Sequence, residues 1–204
     1  MESCSLFLAL FDFVPVALFL VGAYFLVRIA FLCRGRPGAR MVMAGTLLVF
    51  LGGFLKAAWK LLYSTNTADV QWMSQGQFVF SGIGFLGMCV AVIYMVRGQR
   101  RTDGSGGALL AMAAWKIPFL FVMTVASLGA EGILTYLAFR RKVPAAAAGY
   151  IIGVLGILAM GALASGDQTV VMQWIEESVN TLGQLGFMLG SILLHRDYKF
   201  RGGC

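Results

Sequence analysis

The sequence predicts an all-α integral membrane protein with about six transmembrane helices, built as two inverted three-helix repeats. Composition, run length and an internal likeness carry that expectation. Of the 204 residues, 59% are hydrophobic and 12% charged, whereas a soluble domain is about half apolar and a quarter charged. Six apolar runs, 6–27, 41–63, 75–96, 108–139, 145–164 and 170–194, reach the ~20 residues that one crossing needs. The two halves of the chain also repeat an order of landmarks.

The first run follows Glu2 rather than a basic segment, and no small-residue cleavage site closes it. It is therefore expected to be a retained helix and not a signal peptide. It holds Pro15, and the basic turn Arg34-Gly-Arg-Pro37 follows. The second run carries Lys56, Trp59 and Lys60, and ends before a polar turn containing Asp69. The third opens with Gln71-Trp72 and continues through Gly84-Phe85. The fourth holds Pro118 and is longer than one crossing requires; Arg140-Arg-Lys-Val-Pro144 ends it. The fifth contains Gly149 and Gly153 in GxxxG spacing, and a turn with Asp167 follows. Gln173-Trp174 opens the sixth, and Gly186-Phe187 recurs at the same offset as Gly84-Phe85.

These landmarks divide the chain into a first repeat, 1–101, a Gly/Ser-containing linker, 102–106, and a second repeat, 107–204. An odd number of helices per repeat turns the second one upside down, as in many secondary transporters. Arg34, Arg36 and Arg40 would then share a face with Arg97, Arg100 and Arg101. Arg140, Arg141 and Lys142 would share the other with Arg196, Lys199 and Arg201. That near-tie leaves the positive-inside rule unable to orient the chain. In a five-span alternative, the fourth run dips in and returns at Ser127-Leu-Gly-Ala-Glu-Gly132, which brings all four basic clusters to one face.

The net charge of +7 does not indicate nucleic acid, because the basic residues flank apolar runs and no basic patch is interleaved with aromatics. The four cysteines show no CxxC spacing, and the single histidine, His195, leaves no haem or metal set. Without an HExxH, Walker or GxSxG motif the chain is not expected to be an enzyme or to need a cofactor.

Polar residues inside a membrane are costly and mark candidate function. Glu131, between Gly129 and Gly132, is read as a protonatable carboxylate in an ion or solute path, or else as a structural partner for a lysine. Lys56 and Lys60 lie one turn apart and are read first as snorkelling residues, with the deeper Lys56 a counter-charge for Glu131. Gln173, Glu177, Asn180, Thr181 and Gln184 recur every three or four residues and form one polar stripe on the sixth helix. Gln71, Ser74 and Gln75 are its third-helix counterpart, with Gln77 and Ser81 on a neighbouring line. The blander account of the stripe is that its first turn is solvated loop.

The expected pathway residues are thus Glu131, Glu177, Asn180, Gln184 and Lys56. The expected function is a small multi-pass transporter or channel-like protein, in the cell (plasma or inner) membrane, for an ion or small polar solute. The alternative is a non-transporting subunit, assembly or sensing protein whose stripe contacts a partner helix. The bilayer, a solute, and a second copy or membrane partner are the expected contacts.

Overall fold

A computed structural model describes residues 6–67, 70–97, 116–163 and 169–202; the side chains of Gln71, Ser74, Arg97 and 116–120 are outside that description. The 102–106 linker, Cys4, Cys204, Arg100, Arg101 and the turn aspartates Asp69 and Asp167 lie outside the described residues, as do the side chains of Pro118, Gln71 and Ser74.

Among the described residues the fold is all-α: α1 (Leu6–Phe11), α2 (Phe13–Ser64), α3 (Gln71–Arg97), α4 (Lys116–Arg140), α5 (Pro144–Leu163) and α6 (Val170–Arg201). By length and composition, four helical stretches can cross a membrane: Leu6–Ser64, Gln75–Val96, Phe121–Arg140 and Pro144–Leu163. The stretch Leu6–Ser64 is two limbs. Straight, the 52 residues of α2 would extend about 78 Å at about 1.5 Å per residue. Instead Gly35, at φ 64° and ψ −154°, reverses the chain. That left-handed φ suits glycine, and Pro37 sits at the start of the second limb, where its missing N–H costs nothing. The limbs return on each other: Phe13 meets Phe54 at 5.9 Å between ring centroids, and Lys60 Nζ reaches Asp12 Oδ2 at 2.7 Å.

Glycine lets neighbouring helices approach closely. On the second limb of α2, Gly45 lies against Gly84 O and Met88 N of α3, and Gly52 against Gln77 O and Ser81. On α5, Gly149 lies against Gly186 O and Gly190 N of α6, and Gly156 against Val179 O and Gly183. The second set repeats the first with a constant shift of 104 positions on one helix and 102 on the other. The shift of 102 is also the one that relates Trp72 to Trp174. A Cβ at these glycines would press on backbone, so the glycines are packing residues.

The first limb of α2 packs along α6 in parallel: Phe11 meets Trp174, Phe19 meets Phe187 and Phe25 meets His195, so both residue numbers rise together. α3 and α4 are also parallel. Cys89 Sγ lies 3.1 Å from where a Cβ on Gly129 would be, and Met95 and Val96 share a pocket with Leu137 and Arg140.

These directions correct the expected inversion. The end of α3 and the start of α4 lie at opposite ends of the bundle, and residues 98–115, which join them, are outside the described residues. The inverted expectation assumed that the whole apolar run 108–139 enters the bundle immediately after a short loop. The described part of α4 starts at Lys116, and residues 108–115 of that run are outside the described residues. Helices in equivalent positions run the same way, and Trp72 and Trp174 open α3 and α6 at the same end rather than at opposite faces.

The basic residues of the α2 turn, of the end of α4 and of the end of α6 gather at the other end, where α3 also finishes at Arg97. Arg34 donates to Met95 O at 3.2 Å and stacks 5.7 Å from the Tyr94 ring centroid. Arg141 stacks 3.9 Å from the Tyr198 centroid and lies 3.8 Å from Asp197 Oδ2. The five-span alternative placed the clusters this way by breaking the fourth helix, yet α4 is continuous through Ser127–Gly132. Below this basic end the core is apolar: Leu26, Ile29, Val92, Leu134 and Leu194 are buried, with the Tyr150 hydroxyl 3.2 Å from Ser191 Oγ.

Candidate functional site

Two polar features stand out against this apolar frame. The first is a chain of charges at the end opposite the basic clusters. Lys60 Nζ lies 2.7 Å from Asp12 Oδ2 and 2.8 Å from Glu177 Oε1, and Lys56 Nζ lies 3.0 Å from the same Glu177 oxygen. Glu177 is 1% exposed and Asp12 3%. The cluster ties together the junction of α1 and α2, the second limb of α2, and α6. Its formal charge is zero, because two carboxylates face two ammonium groups.

Local structure explains how the four groups meet. Lys56 and Lys60 are one turn apart on one helix face. Asp12 interrupts α1 and α2 without leaving helical φ/ψ, so its side chain points from an almost continuous helix. α6 starts at Val170, capped by the Thr169 hydroxyl, which accepts from Met172 N. Glu177 is therefore two turns inside a helix and not in a solvated loop.

The second feature is a cavity of about 340 Å³ between the second limb of α2 and α3 on one side and α4, α5 and α6 on the other. Lys56, Glu131, Asn180 and Gln184 all line it, together with Gln77 and Ser81 of α3. Four of the five expected pathway residues thus share one cavity wall; the fifth, Glu177, holds Lys56 from behind. The cavity runs from the middle of the bundle toward the end that carries no basic cluster. Phe19, Phe85 and Phe187 form an apolar side: the Phe19 and Phe187 rings stack at 5.5 Å, and Phe85 meets Phe19 edge-on at 6.4 Å.

Glu131 is 7% exposed, and its Oε2 is buried without a hydrogen-bond partner. It lies over Gly153 of α5, where any Cβ would overlap the carboxylate. The two glycines that flank it behave differently. Gly129 is approached by Cys89, whereas a Cβ on Gly132 would meet nothing within 4 Å.

Several residues take other roles than the sequence suggested. Lys56 pairs with Glu177, not with Glu131, because α6 and not α4 packs along the first limb of α2. Lys60 does not snorkel; its side chain is 14% exposed and bridges two carboxylates. Of the third-helix counterpart Gln75 is exposed, whereas Gln77 and Ser81, on the neighbouring line, reach the cavity. Asp12 was missed, although an acidic residue inside an apolar run is the signal that singled out Glu131. Among the described residues no three His, Cys, Asp or Glu side chains group to hold a metal. No protein-family model, curated protein or solved structure matches the chain.

Proposed function

We propose that the protein is a multi-span membrane transporter for a small polar or charged solute, made of two parallel three-helix repeats and an odd number of crossings, because the first limb of α2 starts at one end of the bundle and α6 finishes at the other. α1 with the first limb of α2, the second limb, and α3 to α6 would be six of the spans. α6 falls short on hydropathy alone because its polar stripe faces inward, where polar residues are tolerated. Parallel repeats about an axis along the membrane normal are a known transporter plan, and the matched glycine contacts support that reading. The positive-inside rule then orients the chain, with the basic end of the bundle in the cytoplasm.

The observation that carries the proposal is the cavity. It is a space at mid-depth between the two halves, with Lys56, Glu131, Asn180 and Gln184 on an otherwise largely apolar lining, closed toward the basic end by packed apolar residues and the Tyr150–Ser191 contact. This is the arrangement of an outward-facing carrier. A subunit whose stripe served a partner helix would turn that stripe outward, but Glu177 is buried and Asn180 and Gln184 line this chain's own cavity.

The test is flux in reconstituted vesicles with cationic, zwitterionic and neutral small solutes. Wild type is expected to move at least one of them faster than empty vesicles, and Gln184→Leu to abolish that flux. A structural hydrogen bond lost there would cost about 0.6 kcal/mol on average. If no solute moves and Gln184→Leu only lowers stability, the subunit reading replaces this one. Topology has its own check. Cysteines replacing Arg36 and Arg140 should react with an impermeant thiol reagent from the same side; labelling from opposite sides would restore the inverted arrangement.

A further inference from the structure

We infer that the cavity binds a small organic ammonium ion, its charged head on the Glu131 carboxylate and its apolar body against the Phe19, Phe85 and Phe187 rings. This rests on reading the cavity as a solute site.

Charge balance comes first. The Asp12–Lys60–Glu177–Lys56 cluster is neutral by itself, and Lys56, the cation on the cavity wall, is engaged with Glu177. Glu131 has no ion pair among the described residues. Its Oε2 is buried and unpartnered. The cavity therefore holds one uncompensated acidic group. A carboxylate out of water either takes a proton or takes a cation.

The rest of the wall selects the kind of cation. A hard metal ion needs a shell of several oxygen ligands. Among the described residues no three His, Cys, Asp or Glu side chains group to hold one. An organic ammonium needs less: one carboxylate for the head, and ring faces and thioethers for the body. The three rings and Met88 supply that surface. The volume of about 340 Å³ is at the lower end of small-ligand pockets, which span about 300–1,000 Å³. Gly153 completes the site, since a side chain there would take the space of the carboxylate.

The experiment uses the full chain in detergent and three probes of nearly equal shape: phenethylammonium, phenethyl alcohol and phenylacetate. Binding is read as a concentration-dependent rise in unfolding temperature. Phenethylammonium should stabilise wild type, with little effect from the alcohol or the carboxylate. Glu131→Gln should weaken the ammonium by roughly thirtyfold or more, the usual result of truncating one side of a buried charge pair. Glu131→Asp keeps the charge and should keep the order of preference at reduced affinity. Equal response to all three probes, or an unchanged ammonium response in Glu131→Gln, overturns the inference. Flux is read separately: ammonium binding without flux keeps the site and removes the transport reading, whereas flux of a neutral solute without ammonium binding does the reverse.

Discussion

The two seams that join the halves occupy matching positions and are built from different materials. In each, the first helix of one half packs in parallel against the third helix of the other. Along the seam of α2 and α6, three aromatic contacts follow one another from end to end, Phe11–Trp174, Phe19–Phe187 and Phe25–His195. Lys56 and Lys60 then clip Glu177 of α6 in place. Along the seam of α3 and α4 the contact is between small groups, Cys89 against Gly129, and near the basic end Met95 and Leu137 border an open pocket of about 250 Å³. In lipid, helices associate through packing and polar contacts rather than through hydrophobic exclusion. The first seam has both, whereas the second shows close packing of small groups. The first is expected to be the fixed joint about which the halves move, and the second the one that yields.

The largest effect should come from breaking the charge cluster. Lys60→Met removes the one ion pair that Asp12 makes among the described residues and leaves Glu177 with Lys56 alone. Removing one member of a buried ionic group costs about 3–5 kcal/mol, because the remaining charge is left uncompensated. Adding Asp12→Leu removes that stranded charge and should recover most of the loss. Thermal unfolding in detergent of the two single variants and the double variant measures this. A Lys60→Met loss no greater than that of an exposed lysine would mean that the cluster does not hold the seam.

The yielding seam should respond less, and differently. Gly129→Leu pushes a side chain into Cys89, which is already 3.1 Å from the position of a Cβ. Overpacking of this kind costs about 1–3 kcal/mol. Cys89→Gly in the same chain opens the space and should restore part of it, a coupling that a double-mutant cycle reads. Additive effects of the two substitutions would show that α3 and α4 are not in contact there.

The contrast between the seams also marks what could be read from the chain and what could not. The apolar runs, the turns between them and the shift of 102 that relates Trp72 to Trp174 are local, periodic features, and they foretold helices with polar residues in their interior. Glu131, Asn180, Gln184 and Lys56 stood out because an intramembrane polar group is rare for an energetic reason. The direction of the second half was not legible. It depends on which way α4 runs against α3, and hydropathy is blind to direction. Partner identity was lost with it: once α6 rather than α4 lies along the first limb of α2, Lys56 meets Glu177 and Lys60 is enclosed. Asp12 was hidden by the same averaging, since a single acid hardly lowers the hydropathy of the run that contains it.

The smallest effect belongs to Gly132, one residue past Glu131 on the same helix. It resembles Gly129 in sequence, since both flank Glu131. The structure separates them, because a Cβ on Gly132 would meet nothing within 4 Å. The cost of glycine in a helix remains there with no packing benefit to offset it, about 0.5–1 kcal/mol relative to alanine. Gly132→Ala should therefore raise stability by up to about 1 kcal/mol. It should also leave ammonium binding unchanged, since the substitution does not reach the carboxylate of its neighbour. Gly153→Ala, which overlaps that carboxylate, should instead weaken binding. Thermal unfolding with and without phenethylammonium reads both variants together. A Gly132→Ala chain less stable than wild type would show that another surface covers this side of α4, from lipid, a second copy or a partner, and would turn attention from the two seams to that face.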